Sequence, residues 1–280
     1  MKRILFPTDF SPAADRAFIY ALKVAEAIEA SLLVLHVYEL PRLKAHLPNT
    51  IRELFESIEK EAYRDFQNNL PHLDAIAAAN ELSHLPVSYA IREGDKLDTI
   101  NQAAKTEQVD FIVMGTKGAT GLRESLIGSV AAEVMENAPC PVLAVPEEAV
   151  FDGHLDHMAF ATDFKDSDNL ALKKLLNFAS LFSAKVCCIN VDISHTELYL
   201  KRMEQLRKAY QEKPNLSFHV LEGNNIEKAV FDFMEKEHID LLAMVTQQRN
   251  FIQELFHYSQ TKQLAYHTRV PILALQSHNI

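Results

Sequence analysis

Residues 110–129 read DFIVMGTKGATGLRESLIGS, and the fold prediction for the whole chain starts from them. The run FIVM, between Asp110 and Gly115, is typical of a short buried strand. Four of the chain's seven glycines then fall within fourteen residues: Gly115, Gly118, Gly121 and Gly128. Ser129 precedes apolar residues at helical spacing, with Glu133 in the predicted first turn, so we expect Ser129 to be a helix N-cap. A strand, a glycine-rich loop and a helix start bring backbone N–H groups together, which favours anion binding.

The glycines match neither of the two common phosphate-binding motifs. A P-loop needs Gly-Lys-Ser/Thr and a dinucleotide-binding fold needs Gly-x-Gly-x-x-Gly, whereas this loop reads Gly-x2-Gly-x9-Gly-Ser from Gly115 to Ser129. Glycine still lets main-chain amides approach a phosphate closely and adopt positive φ. The alternative is a glycine-rich turn between strand and helix that holds no ligand.

Length and composition limit the class of protein. A chain of 280 residues predicts two domains of ordinary size, and 48% hydrophobic with 24% charged residues is typical of globular proteins. The 38 acidic against 28 basic residues give a net charge of −10, which argues against non-specific binding to nucleic acid or an anionic membrane. No long apolar run or signal-peptide pattern is visible, so we expect a cytoplasmic location.

The side chains that usually carry catalysis or bind metals show no recognisable arrangement. The cysteines, Cys140, Cys187 and Cys188, are odd in number and lack a Cys-x-x-Cys spacing, so neither a disulfide framework nor a zinc site is predicted. We find no nucleophile with a matching base and no carboxylate pair of defined spacing. The sequence therefore predicts no catalytic residue and no metal site.

Strand-like runs alternate with helix-like stripes along the first half. The predicted strands lie at 4–6, 32–37, 87–91, 111–114 and 142–145. Ser11 followed by Pro12 predicts a capped helix start after the first of them. This alternation predicts a parallel α/β sheet with right-handed crossovers. Ligands of such sheets bind beyond the carboxyl ends of the strands, where Asp9, Val37 and Gly115 would meet.

The second half repeats the first. The run MAFATDF at 158–164 matches ILFPTDF at 4–10 with an offset of 154, and DLLAM at 240–244 matches DFIVM at 110–114 with an offset of 130. We therefore predict two domains of one fold, at 1–148 and 154–280. At the offset of 130, the four glycines fall opposite Val245, Gln248, Phe251 and Tyr258. Only Ser129 is kept, as Ser259, so the glycines of the first copy are predicted to serve a ligand.

Four segments of the first half resemble one protein family in the same order along the chain. They are KRILFPTDFS at 2–11, LVLHV at 33–37, the glycine pattern after Met114, and PCPVLAVP at 139–146. Together they are similar to the ATP-binding kind of universal stress protein. The resemblance implies an α/β chain of two tandem Rossmann-like domains, of the adenine nucleotide α-hydrolase-like type. Each domain would be a five-stranded parallel sheet with helices on both faces.

The resemblance also implies a nucleotide site in the first domain. The base would lie against Pro7, Thr8, Asp9 and the backbone of Val37. An alternative role for Asp9 is to cap the following helix, because the glycine-less copy keeps it as Asp163. The ribose and phosphates would lie against a second set: Met114, Gly115, Thr116, Lys117, Gly118, Ala119, Thr120, Gly121, Gly128, Ser129, Val130 and Ala131.

Each charged side chain near that site has two possible roles. Lys117 and Arg123 either offset phosphate charge or are solvated surface charges. The hydroxyl of Ser129 would donate to phosphate. ATP is the implied ligand, and Mg²⁺ is the ion that would accompany it, although the sequence shows no carboxylate pair for a metal.

The function implied by the resemblance is that of a stress-response regulatory protein that binds ATP or a related adenine nucleotide. Two alternatives stay open: a slow ATPase or nucleotidyl-transfer enzyme, and an interaction module with vestigial nucleotide binding. The family's fifth strand commonly pairs two copies edge to edge. The resemblance therefore implies a pseudo-dimer of the two domains through Val142–Val145 and Ile272–Leu275, and it leaves open a further homodimer. Neither nucleic acid nor membrane is an expected partner.

Overall fold

The computed structural model describes residues 2–41, 50–117, 128–165, 168–192, 197–223, 225–246 and 269–276. Within these ranges the strands are β1 Lys2–Thr8, β2 Ala30–Tyr38, β3 Val87–Glu93, β4 Phe111–Gly115, β5 Val142–Val145, β6 His157–Ala161, β7 Lys185–Asp192, β8 Leu216–Glu222, β9 Leu241–Val245 and β10 Ile272–Leu275. The helices are α1 Pro12–Ala27, α2 Thr50–Ala79, α3 Lys96–Thr106, α4 Ser129–Asn137, α5 Asn169–Leu181, α6 Glu197–Ala209 and α7 Ile226–Lys236.

The strands form one sheet of ten, in the order β3-β2-β1-β4-β5-β10-β9-β6-β7-β8. The first five strands pair only in parallel with one another, and so do the last five, in the same relative order. The two predicted five-stranded sheets are therefore continuous. The join is antiparallel, with Leu273 opposite Leu143, so the strands predicted to make contact are hydrogen-bonded neighbours.

Helices cover both faces of the sheet and enclose two apolar layers. Phe18 of α1, Leu73 of α2 and Leu175 of α5 belong to the layer on one face. Val134 of α4 and Phe233 of α7 belong to the layer on the other face, together with α3. The inner strands β4 and β5 are buried along almost their whole length, as expected of parallel strands with helices on both sides.

The layer that contains α1 crosses the boundary between the two halves. Phe111 of β4 stacks on Phe178 of α5, with ring centroids 5.5 Å apart and ring planes 10° apart. Tyr20 of α1 meets the edge of Phe151 at 5.1 Å. The first contact joins residues of the two predicted domains, and the second joins the first domain to the segment between them; aromatic pairs of this kind add about 1 kcal/mol beyond simple burial.

The helix after β2 is long. Apolar residues at helical spacing run through positions 51–66, and α2 continues past them through Pro71 to Ala79. Leu73 and Ala77 in these further turns are buried against the sheet, and this burial explains why the helix extends beyond the apolar stripe. No helix in the described ranges is both long enough and apolar enough to span a membrane.

Candidate functional site

The turn after β1 is held by its own side chains. The hydroxyl of Thr8 accepts the N–H of Phe10 at 3.0 Å, and the Asp9 carboxylate accepts the N–H of Ser11 at 3.1 Å. Ser11 caps α1, with its hydroxyl accepting the N–H of Ala14 at 3.3 Å and Pro12 in the first turn, as predicted. Asp9 therefore stabilises the turn and does not cap α1. Its exposed side chain stands at the carboxyl end of the strand.

The end of β2 turns the backbone of Val37 toward the β1 side. Leu32 N–H donates to Pro86 and Tyr38 C=O accepts from Gly94, so these even-numbered residues face β3. Backbone groups of successive strand residues point in opposite directions, so Val37 faces β1. The last β1 residue paired with β2 is Thr8, opposite His36. The Val37 carbonyl thus lies just past the end of β1, as the prediction of a backbone contact requires.

Gly115, at the end of β4, lies against the backbone of α1. A Cβ atom there would come within 3.2 Å of the carbonyl carbon and oxygen of Ala13 and 3.3 Å of the nitrogen of Ala14. Gly115 therefore has a packing contact in the fold beside the ligand role predicted for it. The second half places buried Val245 at this position, and α5 begins only at Asn169, three residues later than α1 at the offset of 154.

The start of α4 differs from the prediction by one residue. Gly128 is the N-cap, with φ −70° and ψ 159°, and Ser129 is the first helical residue. The Gly128 carbonyl accepts the first intrahelical bond, from Ala132 at 3.0 Å, which fixes the cap one residue earlier than predicted. No acidic side chain lies in the first turn, because Glu133 is beyond it.

Among the described residues, no side chain accepts an N–H group at this helix end. Helices α1, α3 and α7 have capping oxygens from Ser11, Asp95 and Asn225, whereas Gly128 has no side chain. The N–H groups of residues 129–131 precede the first intrahelical bond, so this helix end can present them to an acceptor outside the helix.

A short contact closes the base of the loop that joins β4 to α4. The N–H of Gly128 donates to the Thr116 carbonyl at 2.7 Å, and Thr116 N–H donates to Val145 at 2.9 Å. A Cβ at Gly128 would lie 3.3 Å from the Thr116 oxygen, so this close approach favours glycine, whereas the φ of Gly128 suits any residue. Thr116 is 2% exposed, so the base of the loop is part of the packed interior.

The described members of the predicted site meet at one edge of the sheet. Strands β2, β1 and β4 are neighbours, and their carboxyl ends carry Val37, residues 7–9 and residues 114–117, with α4 starting beside them. Met114 and Ala131 are buried in the same apolar layer, and Lys117 is half-buried. Residues 118–121 and Arg123 lie outside the described residues, so their predicted roles stay predictions.

The second half repeats the turn with one added carboxylate. Thr162 and Phe164 repeat the Thr8–Phe10 bond at 2.9 Å. Asp168, 5% exposed, also accepts the Thr162 hydroxyl at 2.7 Å and the Asp163 N–H at 3.1 Å. It replaces Ala14 at the offset of 154. A buried carboxyl group therefore stands at the position that the first turn of α1 occupies in the first half.

Sequence reasoning missed the role of His36. Its Nδ1 lies 2.9 Å from the carbonyl oxygen of Thr8, and Asn190 at the matching position of β7 donates to Thr162 at 2.8 Å. The signal was present in the sequence, because both halves place a polar residue at the same position of an otherwise apolar run.

The three cysteines are buried free thiols. Burial raises the pKa of Cys140 to about 12, and it also raises the pKa values of Cys187 and Cys188. Thiols of this kind are poor nucleophiles at neutral pH. Among the described residues, no group of three or more His, Cys, Asp or Glu side chains is arranged to hold a metal ion.

The first half of the chain matches a known protein family. Residues 1–146 match the universal stress protein family model. A universal stress protein of Methanocaldococcus jannaschii, MJ0531, is 32% identical over 144 residues, covering 51% of this chain and 81% of the relative. One from Thermus aquaticus is 35% identical over 147 residues, covering 51% of this chain and 98% of the relative.

Solved structures match nearly the whole chain. The universal stress protein from Archaeoglobus fulgidus covers 98% of this chain and 96% of its own, with a TM-score of 0.69 and 20% identity. This match shows a shared fold over both halves, and the sequence relatives each match about half of the chain, which is consistent with a tandem arrangement. The chain belongs to the universal stress protein family.

Proposed function

We propose that this protein binds ATP or a related adenine nucleotide at the carboxyl ends of β1, β2 and β4 and acts as a stress-response regulator. The observation that carries the proposal is the start of α4. Its glycine cap supplies no oxygen, its first turn has no carboxylate, and its first N–H groups precede the intrahelical bonds. Such a helix end attracts phosphate through the N–H groups and the helix dipole.

The base would lie beside the ends of β1 and β2. The Val37 carbonyl can accept from the amino group of adenine, while Pro7 and Thr8 offer surface at the end of the neighbouring strand. Asp9 already binds the Ser11 N–H at 3.1 Å, so its proposed contact with the base uses the remaining acceptor capacity of the carboxylate. Ser129 is exposed on the first turn of α4 and would donate to phosphate.

We also propose that residues 1–148 form the nucleotide-binding unit and 154–280 a degenerate copy. The repeated strand order and the antiparallel pairing of β5 with β10 support a pseudo-dimer within one chain. Three features of the second copy argue against the same ligand there: Val245 in place of Gly115, the later start of α5, and buried Asp168. A buried carboxylate disfavours a neighbouring phosphate.

Isothermal titration of the purified full chain with ATP and with AMP tests the proposal. The repeat supplies a matched control, because Ser129 and Ser259 occupy equivalent positions. We expect one nucleotide per chain, weaker binding for Ser129→Ala, and unchanged binding for Ser259→Ala. Absence of adenine nucleotide binding, in titration and in mass spectrometry of the co-purifying small molecules, would refute the proposal.

A turnover assay decides between a binding protein and an enzyme. Steady phosphate release well above background, abolished by Gly118→Val, would favour the ATPase alternative. Release at background with intact binding supports a conformational output. Titration with and without Mg²⁺ tests whether the ion accompanies the nucleotide. Light scattering tests whether two chains form a homodimer. The expected cytoplasmic location stays a prediction.

A further inference from the structure

His36 connects the ends of the first two strands. It lies on β2 opposite Thr8, in the last pair between β1 and β2. Its Nδ1 is 2.9 Å from the Thr8 carbonyl oxygen. A carbonyl oxygen only accepts hydrogen bonds, so Nδ1 carries the hydrogen and donates it. The bond ties the end of β1 to the residue that precedes Val37.

The imidazole ring also packs against the turn that follows β1. Phe10 lies 5.1 Å from the His36 ring, and Phe66 of α2 lies on it at 6.2 Å with the planes 26° apart. Phe10 has φ 59°, a left-handed conformation that is uncommon for a bulky residue. His36 therefore touches both ends of the turn: Thr8 by a hydrogen bond and Phe10 by ring packing.

The second half keeps the hydrogen bond without the imidazole. Asn190 donates its side-chain N–H to the Thr162 carbonyl at 2.8 Å, and Phe164 keeps the left-handed conformation with φ 53°. Two different side chains thus supply one donor to the same backbone position. The shared requirement is the donor, because an asparagine carries no ring and no titratable charge.

We propose that His36 is a positioning residue for the base of the bound nucleotide: its Nδ1–H donates to the Thr8 carbonyl and so holds Thr8 and Val37 at a fixed spacing. The inference rests on the proposed nucleotide site, and it adds a residue on the opposite face of the sheet from Val37. Side chains of successive strand residues point to opposite faces, so the side chains of His36 and Val37 lie on opposite faces of the sheet. It fixes the two backbone segments between which the base would lie.

Three variants of the full chain separate this role from general stabilisation. His36→Leu removes the donor, His36→Asn restores it with the side chain used by the second half, and Asn190→Leu removes the equivalent bond where no nucleotide is expected. We expect about tenfold weaker nucleotide binding for His36→Leu, from loss of one well-placed hydrogen bond. His36→Asn should bind within about twofold of the wild type, and Asn190→Leu should bind as the wild type does.

Amide hydrogen exchange gives a readout that needs no nucleotide. The N–H of Phe10 should exchange about tenfold faster in His36→Leu than in the wild type or in His36→Asn, because the turn loses its anchor. If His36→Leu does not fold, His36→Phe replaces it, since phenylalanine keeps the ring contact and lacks the donor.

The outcomes are distinct. Absence of nucleotide binding by the wild type refutes the proposed function, and the positioning role with it. Binding by the wild type with unchanged affinity in the folded donor-less variant overturns only the positioning role. Equal losses in His36→Leu and His36→Asn also overturn it, because they would show that the imidazole and not the donor is required.

Discussion

Replacing Gly115 by alanine should destabilise the protein in the absence of any nucleotide. The added Cβ would stand 3.2 Å from the Ala13 carbonyl carbon and oxygen and 3.3 Å from the Ala14 nitrogen. These are backbone atoms in the first turn of α1, so they cannot rotate away as the end of a side chain can. Relief requires that α1 shift away from β4, although the two elements pack closely in the native fold.

The expected change in the free energy of unfolding of Gly115→Ala is the sum of two opposing effects. Overpacking a buried site costs about 2 kcal/mol, within the range of about 1–3 kcal/mol for such changes. Removing a glycine from the unfolded chain contributes about 0.5 kcal/mol in the other direction. The net loss in the free energy of unfolding is about 1.5 kcal/mol. With an m-value of about 3 kcal/mol per M, the urea midpoint should fall by about 0.5 M.

Gly223→Ala is the matched control. Gly223 also lies outside the left-handed region, but the Cβ added there would meet the side-chain methyl of Ala229 at 3.3 Å and a backbone atom only at 3.7 Å. The unfolded-state gain is the same, so the difference between the two variants compares three tight backbone contacts with α1 against one tight contact with the Ala229 methyl. A urea midpoint for Gly115→Ala equal to or above that of the wild type, measured without nucleotide, would refute the packing argument and restore a ligand-only role for Gly115.

Three further predictions concern affinity, pH and the second half. Ser129→Ala should weaken nucleotide binding about fivefold by calorimetry with an unchanged urea midpoint, because the hydroxyl is exposed and does not cap α4; a shifted midpoint would contradict this. Burial raises the pKa of Cys140 from 9.0 to about 12, so the unfolded chain loses this proton first as the pH rises. The stabilisation that depends on the protonated Cys140 thiol is complete below about pH 9, and the free energy of unfolding should be about 1 kcal/mol lower at about pH 10. Cys140→Ala should reduce this decrease. An equal decrease in Cys140→Ala and the wild type would show that the thiol is accessible. Asp168→Ala should lower the free energy of unfolding by about 2–3 kcal/mol, because it leaves the buried Thr162 hydroxyl without its 2.7 Å acceptor, and a loss under about 0.5 kcal/mol would contradict that role.

Local patterns in the sequence predicted the elements and their repetition. Each predicted strand of the first half lies inside an observed strand, and the Ser11 cap of α1 is where the Ser-Pro pair placed it. The repeat is equally faithful in its bonds: Asp110 accepts the N–H of Arg3 at 2.8 Å, and Asp240 accepts that of His157 at 2.9 Å. The elements and the cap depend on neighbouring residues and on side-chain periodicity, which are visible along the chain, whereas the two aspartate bonds join distant segments and are seen only in the structure.

Features of the site that depend on distant segments could not be predicted in the same way. Gly128 replaces Ser129 as the N-cap because its N–H binds Thr116 across the loop. Gly115 lies tightly against the first turn of α1, which crosses the end of β4 although the two segments are about a hundred residues apart in sequence. The glycine count suggested a ligand for both positions, since the sequence does not show which backbone segments lie a few tenths of an ångström too close for a Cβ.

The sequence by itself determined the alternation of strands and helices, the twofold repeat, and the loss of the glycines in the second copy. Only the tertiary structure decided that Gly115 packs against α1, that His36 and Asn190 donate to equivalent carbonyls, and that one sheet runs through both halves. The physical reason is the separation along the chain over which each effect acts. Propensity and periodicity act over a few residues, whereas close packing and hydrogen-bond partners are set when segments far apart in the chain come into contact.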